Sequence, residues 1–507
     1  MTPVTLPEPD LLVPPEESSP AADAGRAALP EPLPADRLQP VGSWGGSQGG
    51  MAYAYRPTTV AQIREVFALA RSRGLTVGLR GAGRSYGDAS MASENVSLDL
   101  TRMNRILDWD PETGLVTAEP GVTIRQLWQY AIEDGWWPPV VSGTMFPTLG
   151  GALSMNIHGK NNYAVGPIGD HVLYFDLLLP GTGEIVRCSR VENPDLFHGA
   201  IGGFGVLGVF VRIALKMKQV SSGLLRVNPI SVANLSEMFR VFEQKLTESD
   251  YLVGWIDCFG EGAGLGRGLI HQANYLAPGE DPVPAKTLRV ENQELPDTVF
   301  GVVPKGLLWR FMRPFVHDFG VRAVNAAKYW SGTRQHGQAH TATHAGFAFL
   351  LDYVPDWKKA YGPGGLIQYQ SFLPKETAED AFREHLLLCE RRGLVPYLGV
   401  FKRHRPDAFL MTHAVDGYSL ALDFKVTARS REPLWSLAAE LDAITLRGGG
   451  RFYFAKDSTL HAARLNDYLS EERVRQFLAL KQGVDPEGLL QTDLYRRLFA
   501  TPVSGYK

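Results

Sequence analysis

From Pro57 onward the chain alternates apolar and polar positions in two rhythms. Val60, Ile63, Val66, Phe67 and Ala70 recur at helical spacing behind a Thr59–Gln62 capping box, and Gly74 closes the run. This predicts a helix over about 60–73. Residues 76–79 then read as a short buried strand that leads into a glycine-rich loop, residues 80–88. A second strand is predicted at 96–100, and a hairpin joins 106–109 to 115–118 across the turn Asp110–Gly114. Thr123 and Gln126 open another capped helix that carries Leu127, Trp128 and Ala131. Mixed elements continue to about residue 219. Between 220 and 449, strand-like stretches such as 251–258 and 366–372 alternate with amphipathic helices such as 377–392, without a repeat period. From Gly450 the pattern alone assigns nothing.

Composition narrows the class. With 507 residues, 44% hydrophobic and 21% charged, the chain has material for a large core in two or more units. Residues 1–38 carry nine prolines among acidic and small residues and read as a disordered tail. The formal net charge of −3 gives no global basic excess for nucleic acid or for an acidic membrane surface. Cys188, Cys258 and Cys389 lie far apart, which argues against a disulfide framework and for a reducing, cytoplasmic setting. No leader pattern or apolar run long enough to span a bilayer is seen, so at most peripheral membrane contact is expected.

Three glycine clusters carry the candidate chemistry. Gly81, Gly83 and Gly87, with Ala82, Arg84, Ser85, Tyr86 and Asp88, offer backbone N–H groups that can curl round a pyrophosphate, although in isolation an ordinary surface turn is the better explanation. Gly143, Thr148, Leu149, Gly150 and Gly151, followed by Asn156, Ile157 and His158, suit a flat ring laid against backbone; taken singly, His158 reads as a buried structural histidine. Gly203, Gly205 and Gly208 spell GxGxxG, but the β-rich stretch 209–215 follows where a dinucleotide fingerprint requires a helix, so that reading is rejected. His336, His340 and His344 have helical spacing but no carboxylate partner, and no metal is expected. Acyl and phosphoryl transfer signatures are missing.

In order along the chain, the stretches 42–45, 80–88, 143–144, 157–161, 169–172, 202–208, 255–257, 360–363, 368–370, 400–402, 423–424, 453 and 455–458 resemble FAD proteins of the vanillyl-alcohol-oxidase, PCMH type. The resemblance is strongest to the decaprenylphosphoryl-ribose 2-oxidase branch. It implies an α+β fold: a two-subdomain FAD-binding domain (39–219, rejoined by 450–507) with an inserted substrate domain (220–449) built on an antiparallel sheet flanked by helices. It further implies that Leu79 to Ala89, including Arg80, hold the pyrophosphate. Gly143, Thr148 to Gly151, Met155 to His158, Gly208 and Tyr453 line the rest of the cofactor. Arg84 stands where many relatives carry a flavin-linked histidine, so FAD is expected to be non-covalent.

The same resemblance implies oxidation of a hydroxyl on a sugar or polyol, a polyprenyl-phosphate-linked one among the candidates, as the first half of an epimerisation completed by a separate NAD(P)H-dependent ketoreductase. Lys456, Tyr86 and Lys160 are the implied catalytic groups, with Lys456 anchoring the reacting oxygen. Trp255, Gln368, Gln370 and Lys402, together with Lys160 and Lys456, are the implied substrate contacts. Two departures bear on the substrate: Ala421 replaces a family cysteine, and 347–352 lacks the family's aromatic and His-Pro pattern. An aldonolactone or alditol oxidase, and a flavin-binding scaffold without turnover, stand as alternatives.

Overall fold

The computed structural model describes residues 33–299 and 303–499. The expected tail lies outside the described residues up to position 32; after it, Leu33 is buried and Leu38 opens the first strand. Strands β1 (Leu38–Gly42), β2 (Gly49–Tyr55), β3 (Val77–Arg80) and β4 (Val96–Asp99) form a sheet in the order β1-β2-β4-β3, with β4 parallel to both neighbours. The helix predicted before β3 spans Val60–Ser72. Thr59 caps it by accepting from the Gln62 N–H, and Ile63, Val66, Phe67 and Ala70 face the core.

Next come β5 (Ile106–Asp110), β6 (Leu115–Ala118), β7 (Trp136–Trp137), β8 (Val172–Leu178), β9 (Ile185–Ser189), β10 (Val209–Lys216) and β11 (Lys218–Gln219). Five of these make an antiparallel sheet in the order β5-β6-β10-β8-β9, while β7 pairs with β11. The predicted hairpin is β5–β6, and the helix behind Thr123 is Ile124–Ala131 with the reciprocal capping box in place. Gly208 runs straight into β10, so the GxGxxG sequence meets a strand as expected.

The third sheet takes its strands from β12 (Leu224–Val232), β13 (Tyr251–Ile256), β14 (Gly268–Tyr275), β17 (His340–Thr343), β18 (Leu366–Pro374), β19 (Leu398–His404), β20 (Gly417–Lys425) and β21 (Arg451–Phe452). Its order is β17-β12-β14-β13-β19-β20-β18-β21, antiparallel throughout. The short pair β15 (Thr298–Val299) and β16 (Val303–Pro304) lies apart from it. One face of the large sheet is covered by helices: Phe239 and Phe242 of helix Leu235–Lys245, and Phe382 of helix Lys375–Arg391, meet Phe401, while Phe239 and Phe242 also meet Tyr418. The other face is left for the site.

Beyond β21, helices Glu471–Val484 and Asp493–Leu498 return to the first half of the chain. The Val77 N–H donates to Leu489 O (2.8 Å) and the Gln491 N–H donates to Val77 O (2.9 Å), so the C-terminal segment runs beside β3. His336, His340 and His344 do not share a helix: His340 opens β17, and His344 begins a short helix after it. Among the described residues no cluster of histidine, cysteine and carboxylate side chains could hold a metal. All three cysteines are free and buried.

Candidate active site

A cavity of about 440 Å³ lies between the loop after β3, the segment 141–160 and the open face of the large sheet. Its sheet wall follows from strand registry. Trp255, Val400, Ala421 and Gln370 sit directly opposite one another across β13, β19, β20 and β18. Side chains opposite one another share a face, and the next row with that orientation lies two residues along. Those flanking rows are Leu398, Asp423 and Gln368 on one side and Lys402, Ser419 and Phe372 on the other. One sheet face thus delivers Trp255, Gln368, Gln370 and Lys402 together.

The opposite wall is built from the loop after β3, the segment 141–160 and the turn after β21. Leu79 to Tyr86 and Ala89 line the cavity, as do Gly143, Thr148, Gly150, Gly151, Met155, Ile157, His158, Lys160, Tyr453 and Lys456. Thr148 caps helix Leu149–Ser154, and a Cβ added at Gly81 would stand 2.2 Å from its hydroxyl. The two glycine clusters therefore press together so closely that only backbone fits between them. Gly83 has a φ of +61° and packs on the Arg80 guanidinium, which in turn donates to Ser90 O (2.9 Å) and braces the loop from behind.

Gly87, Asp88, Leu149, Asn156 and Gly208 do not line the cavity. Asp88 is buried against Arg497, and an added Cβ at Gly87 would meet Asp457 O at 1.8 Å. Asn156, with a φ of +45°, accepts the Gly169 N–H at 3.0 Å. Leu149 belongs to the core, and Gly208 packs on Leu177. These five residues support the cradle from outside.

Among the described residues no aspartate or glutamate lines the cavity, whereas Arg80, Arg84, Lys160, Lys328, Lys402 and Lys456 do. Burial lowers the pKa of Lys402 to about 8, and that of Lys160 to about 7 with help from the charge on Lys402. Lys160 donates to Phe347 O and to Ala348 O (3.2 Å). The Lys456 ammonium rests 3.7 Å above the centre of the Tyr86 ring, whose other neighbour is Trp44 at 4.6 Å. Burial pulls the Lys456 pKa down, partly offset by Asp423; the same burial pushes the Asp423 carboxyl up, and Asp423 accepts from Gln368. His158 is held far below its ordinary pKa by burial and by Lys402, and is neutral. Gln370 Nε2 donates to His158 Nε2 at 3.4 Å, while His158 Nδ1 and Arg84 Nε are buried with no partner among the described residues.

Sequence reasoning missed Lys328 and His271. His271 comes from β14, and burial lowers its pKa to about 4. Lys328 stands at the cavity's edge, exposed to solvent yet with its Nζ 4.2 Å from the Trp255 ring centre, and the protein around it lowers its pKa to about 8. A signal existed: Val321, Asn325, Lys328 and Gly332, at steps of four, three and four, mark the inward face of helix Asp318–Arg334.

Comparison with known proteins bears on this geometry. Residues 51–189 match a family model described as an FAD binding domain. The chain is 30% identical to the decaprenylphosphoryl-β-D-ribose oxidase of Mycolicibacterium smegmatis over 445 residues, covering 86% of this chain and 92% of that protein. The chain belongs to the decaprenylphosphoryl-β-D-ribose oxidase family. Shorter similarities reach the L-gulonolactone oxidase of Mus musculus, 29% identical over 32% of this chain and 36% of that enzyme. The D-arabinono-1,4-lactone oxidase of Yarrowia lipolytica is 25% identical over 42% of this chain and 40% of that enzyme. This member of the decaprenylphosphoryl-β-D-ribose oxidase family is an FAD-dependent oxidoreductase with a PCMH-type FAD-binding domain and antiparallel sheets. Its cavity fits that cofactor: a side-chain-free cradle at Gly81, a lining that carries basic but no acidic side chains among the described residues, and unpartnered buried nitrogens on His158 and Arg84.

Proposed function

We propose that the enzyme oxidises a secondary hydroxyl of a sugar-like substrate to a ketone, with FAD bound non-covalently by residues 79–86 and by Ala89, Gly143, Thr148, Gly150, Gly151, Met155, Ile157, His158 and Tyr453. The segment 220–449 acts as the substrate domain. The observation that carries this reading is the group Trp255, Gln370, Gln368 and Lys402, from three adjacent rows of one sheet face, set across the same cavity from the glycine cradle. The bound FAD would supply the acceptor for the hydride from the carbinol carbon, and the hydroxyl proton would pass to a base or to water. Gln368, Gln370 and Lys402 hold the neighbouring hydroxyls. Lys456 donates to the reacting oxygen and Lys160 to the substrate's polar end, while Tyr86 and Trp44 beneath Lys456 keep water from it. Neutral His158, whose Nε2 accepts from Gln370, can donate from Nδ1 without adding charge.

A separate ketoreductase that returns the ketone to an alcohol would make the pair an epimerase, and a polyprenyl-phosphate-linked sugar fits the cationic lining. A second reading, an aldonolactone-type oxidase, is favoured by Ala421 in the middle of the sheet row, where no thiol can take part. The test is anaerobic reduction of the bound flavin by candidate sugars, polyols, aldonolactones and glycosyl phospholipids. Bleaching by a sugar or glycosyl lipid supports the proposal, and bleaching by lactones alone moves it to the second reading. Bleaching by none of them leaves a flavin scaffold and overturns both.

A further inference from the structure

Helix Asp318–Arg334 is built the wrong way round for a core helix. Of its seventeen residues only Gly320, Asn325 and Gly332 are buried. Its outward face carries Phe319, Ala323, Ala326 and Trp330, at steps of four, three and four, with Phe319 79% and Trp330 60% exposed. The segment before it continues the pattern: Phe311 is 65% and Phe315 56% exposed, beside exposed Leu307 and Met312. All the exposed phenylalanines and tryptophans among the described residues lie in this one segment. Scattered apolar residues on a surface need no explanation, but a contiguous aromatic group rimmed by charge does.

The charge is one-sided. Residues 303–334 contain six basic side chains, Lys305, Arg310, Arg313, Arg322, Lys328 and Arg334, against the single acid Asp318, in a chain whose net charge is −3. Arg310 packs beside Trp309, and Arg334 lies 3.1 Å over the Trp330 ring, so cations and aromatics are interleaved. The segment is also continuous with the cavity, because the inward face of the same helix supplies Lys328 to the cavity lining, which also includes Leu350 and Leu351. Exposed aromatics among arginines suit the boundary between lipid headgroups and acyl chains, where rings enter the interface and cations meet anionic headgroups.

We infer that residues 305–334 form a docking surface for an anionic lipid bilayer, and that the protein sits on it with the cavity mouth beside the headgroups. This inference stands apart from the reaction proposed above and concerns only where the enzyme works.

The test is co-sedimentation of the full, flavin-loaded chain with vesicles of phosphatidylcholine alone and of phosphatidylcholine mixed equally with phosphatidylglycerol. Binding to the mixed vesicles is expected, weakened by molar salt. Phe311→Ser with Trp330→Ser lowers the partition coefficient about tenfold or more. Arg310→Glu with Arg313→Glu, an independent variant, lowers it strongly at low salt. Flavin content and thermal unfolding, measured on both variants, stay at parent values. The inference is overturned if the parent ignores the mixed vesicles, or if both folded variants bind like the parent. Analytical ultracentrifugation supplies a further refuting outcome: a parent dimer that the aromatic variant dissociates would make this face an interface between copies.

Discussion

Arg497→Met should destabilise the protein by about 3–5 kcal/mol, the cost of stripping the partner from buried ions. Arg497 donates from Nε to Asp88 Oδ2, and from Nη2 to both Asp88 Oδ1 and Asp457 Oδ2, each at 2.8 Å; Nη1 donates to Leu460 O. The two carboxylate side chains are 7% exposed, so water cannot replace the guanidinium. Burial already raises the Asp88 pKa although Arg497 pulls it down, and removal of Arg497 raises it further. A carboxyl whose folded pKa exceeds its unfolded value supports stability below the unfolded value and loses that support as pH rises through the folded one. The deficit of the variant is therefore larger at pH 8 than at pH 5. Urea unfolding followed by tryptophan fluorescence measures it, and flavin release should precede unfolding, because Asp457 adjoins Lys456. Adding Asp88→Asn should restore part of the loss. A deficit below about 1 kcal/mol at pH 8, or no rescue, would refute the clasp.

Four further outcomes follow from the site. Lys456→Ala should slow anaerobic flavin bleaching by about a hundredfold with FAD retained, as expected when a donor to the reacting oxygen is lost; normal bleaching removes its assigned role. Under the non-covalent binding proposed here, acid precipitation should leave the flavin in the supernatant, and flavin carried down with the protein contradicts this. The affinity for an anionic ligand should be full below about pH 6 and fall as Lys160 and Lys402 deprotonate through about 7 and about 8; Lys402→Met should flatten the upper part of a pH titration of Kd, and an unchanged profile refutes the assignment. Gly87→Ala places a Cβ 1.8 Å from Asp457 O and should cut FAD occupancy in the purified protein; full occupancy shows that the loop can shift.

Local elements were legible because local physics sets them. The capping residues Thr59 and Thr123 and the turn at Asp110–Gly114 act within a few residues, and each element they delimit is present. The cradle at Gly81 and Gly83 was legible as glycines needing close approach, although the partner that presses on Gly81, Thr148, lies 67 residues away and appears only in three dimensions. Gly87, Asp88 and Asn156 share the sequence character of cofactor contacts, yet they face Asp457, Arg497 and Gly169 instead; composition cannot tell the inner side of a loop from its outer side. Lys328 escaped notice because its helix exposes aromatics, which inverts the usual inference from apolar spacing to core.

The Arg497 clasp also orders the enzyme's manufacture. Ribosomes deliver β1 to β4 and both glycine clusters long before Tyr453, Lys456 and the helix that bears Arg497, so a nascent chain holds an open cradle until those residues emerge. Tight retention of flavin then certifies that synthesis has run through Arg497, and prematurely terminated chains are left without the ligand that would stabilise their fold.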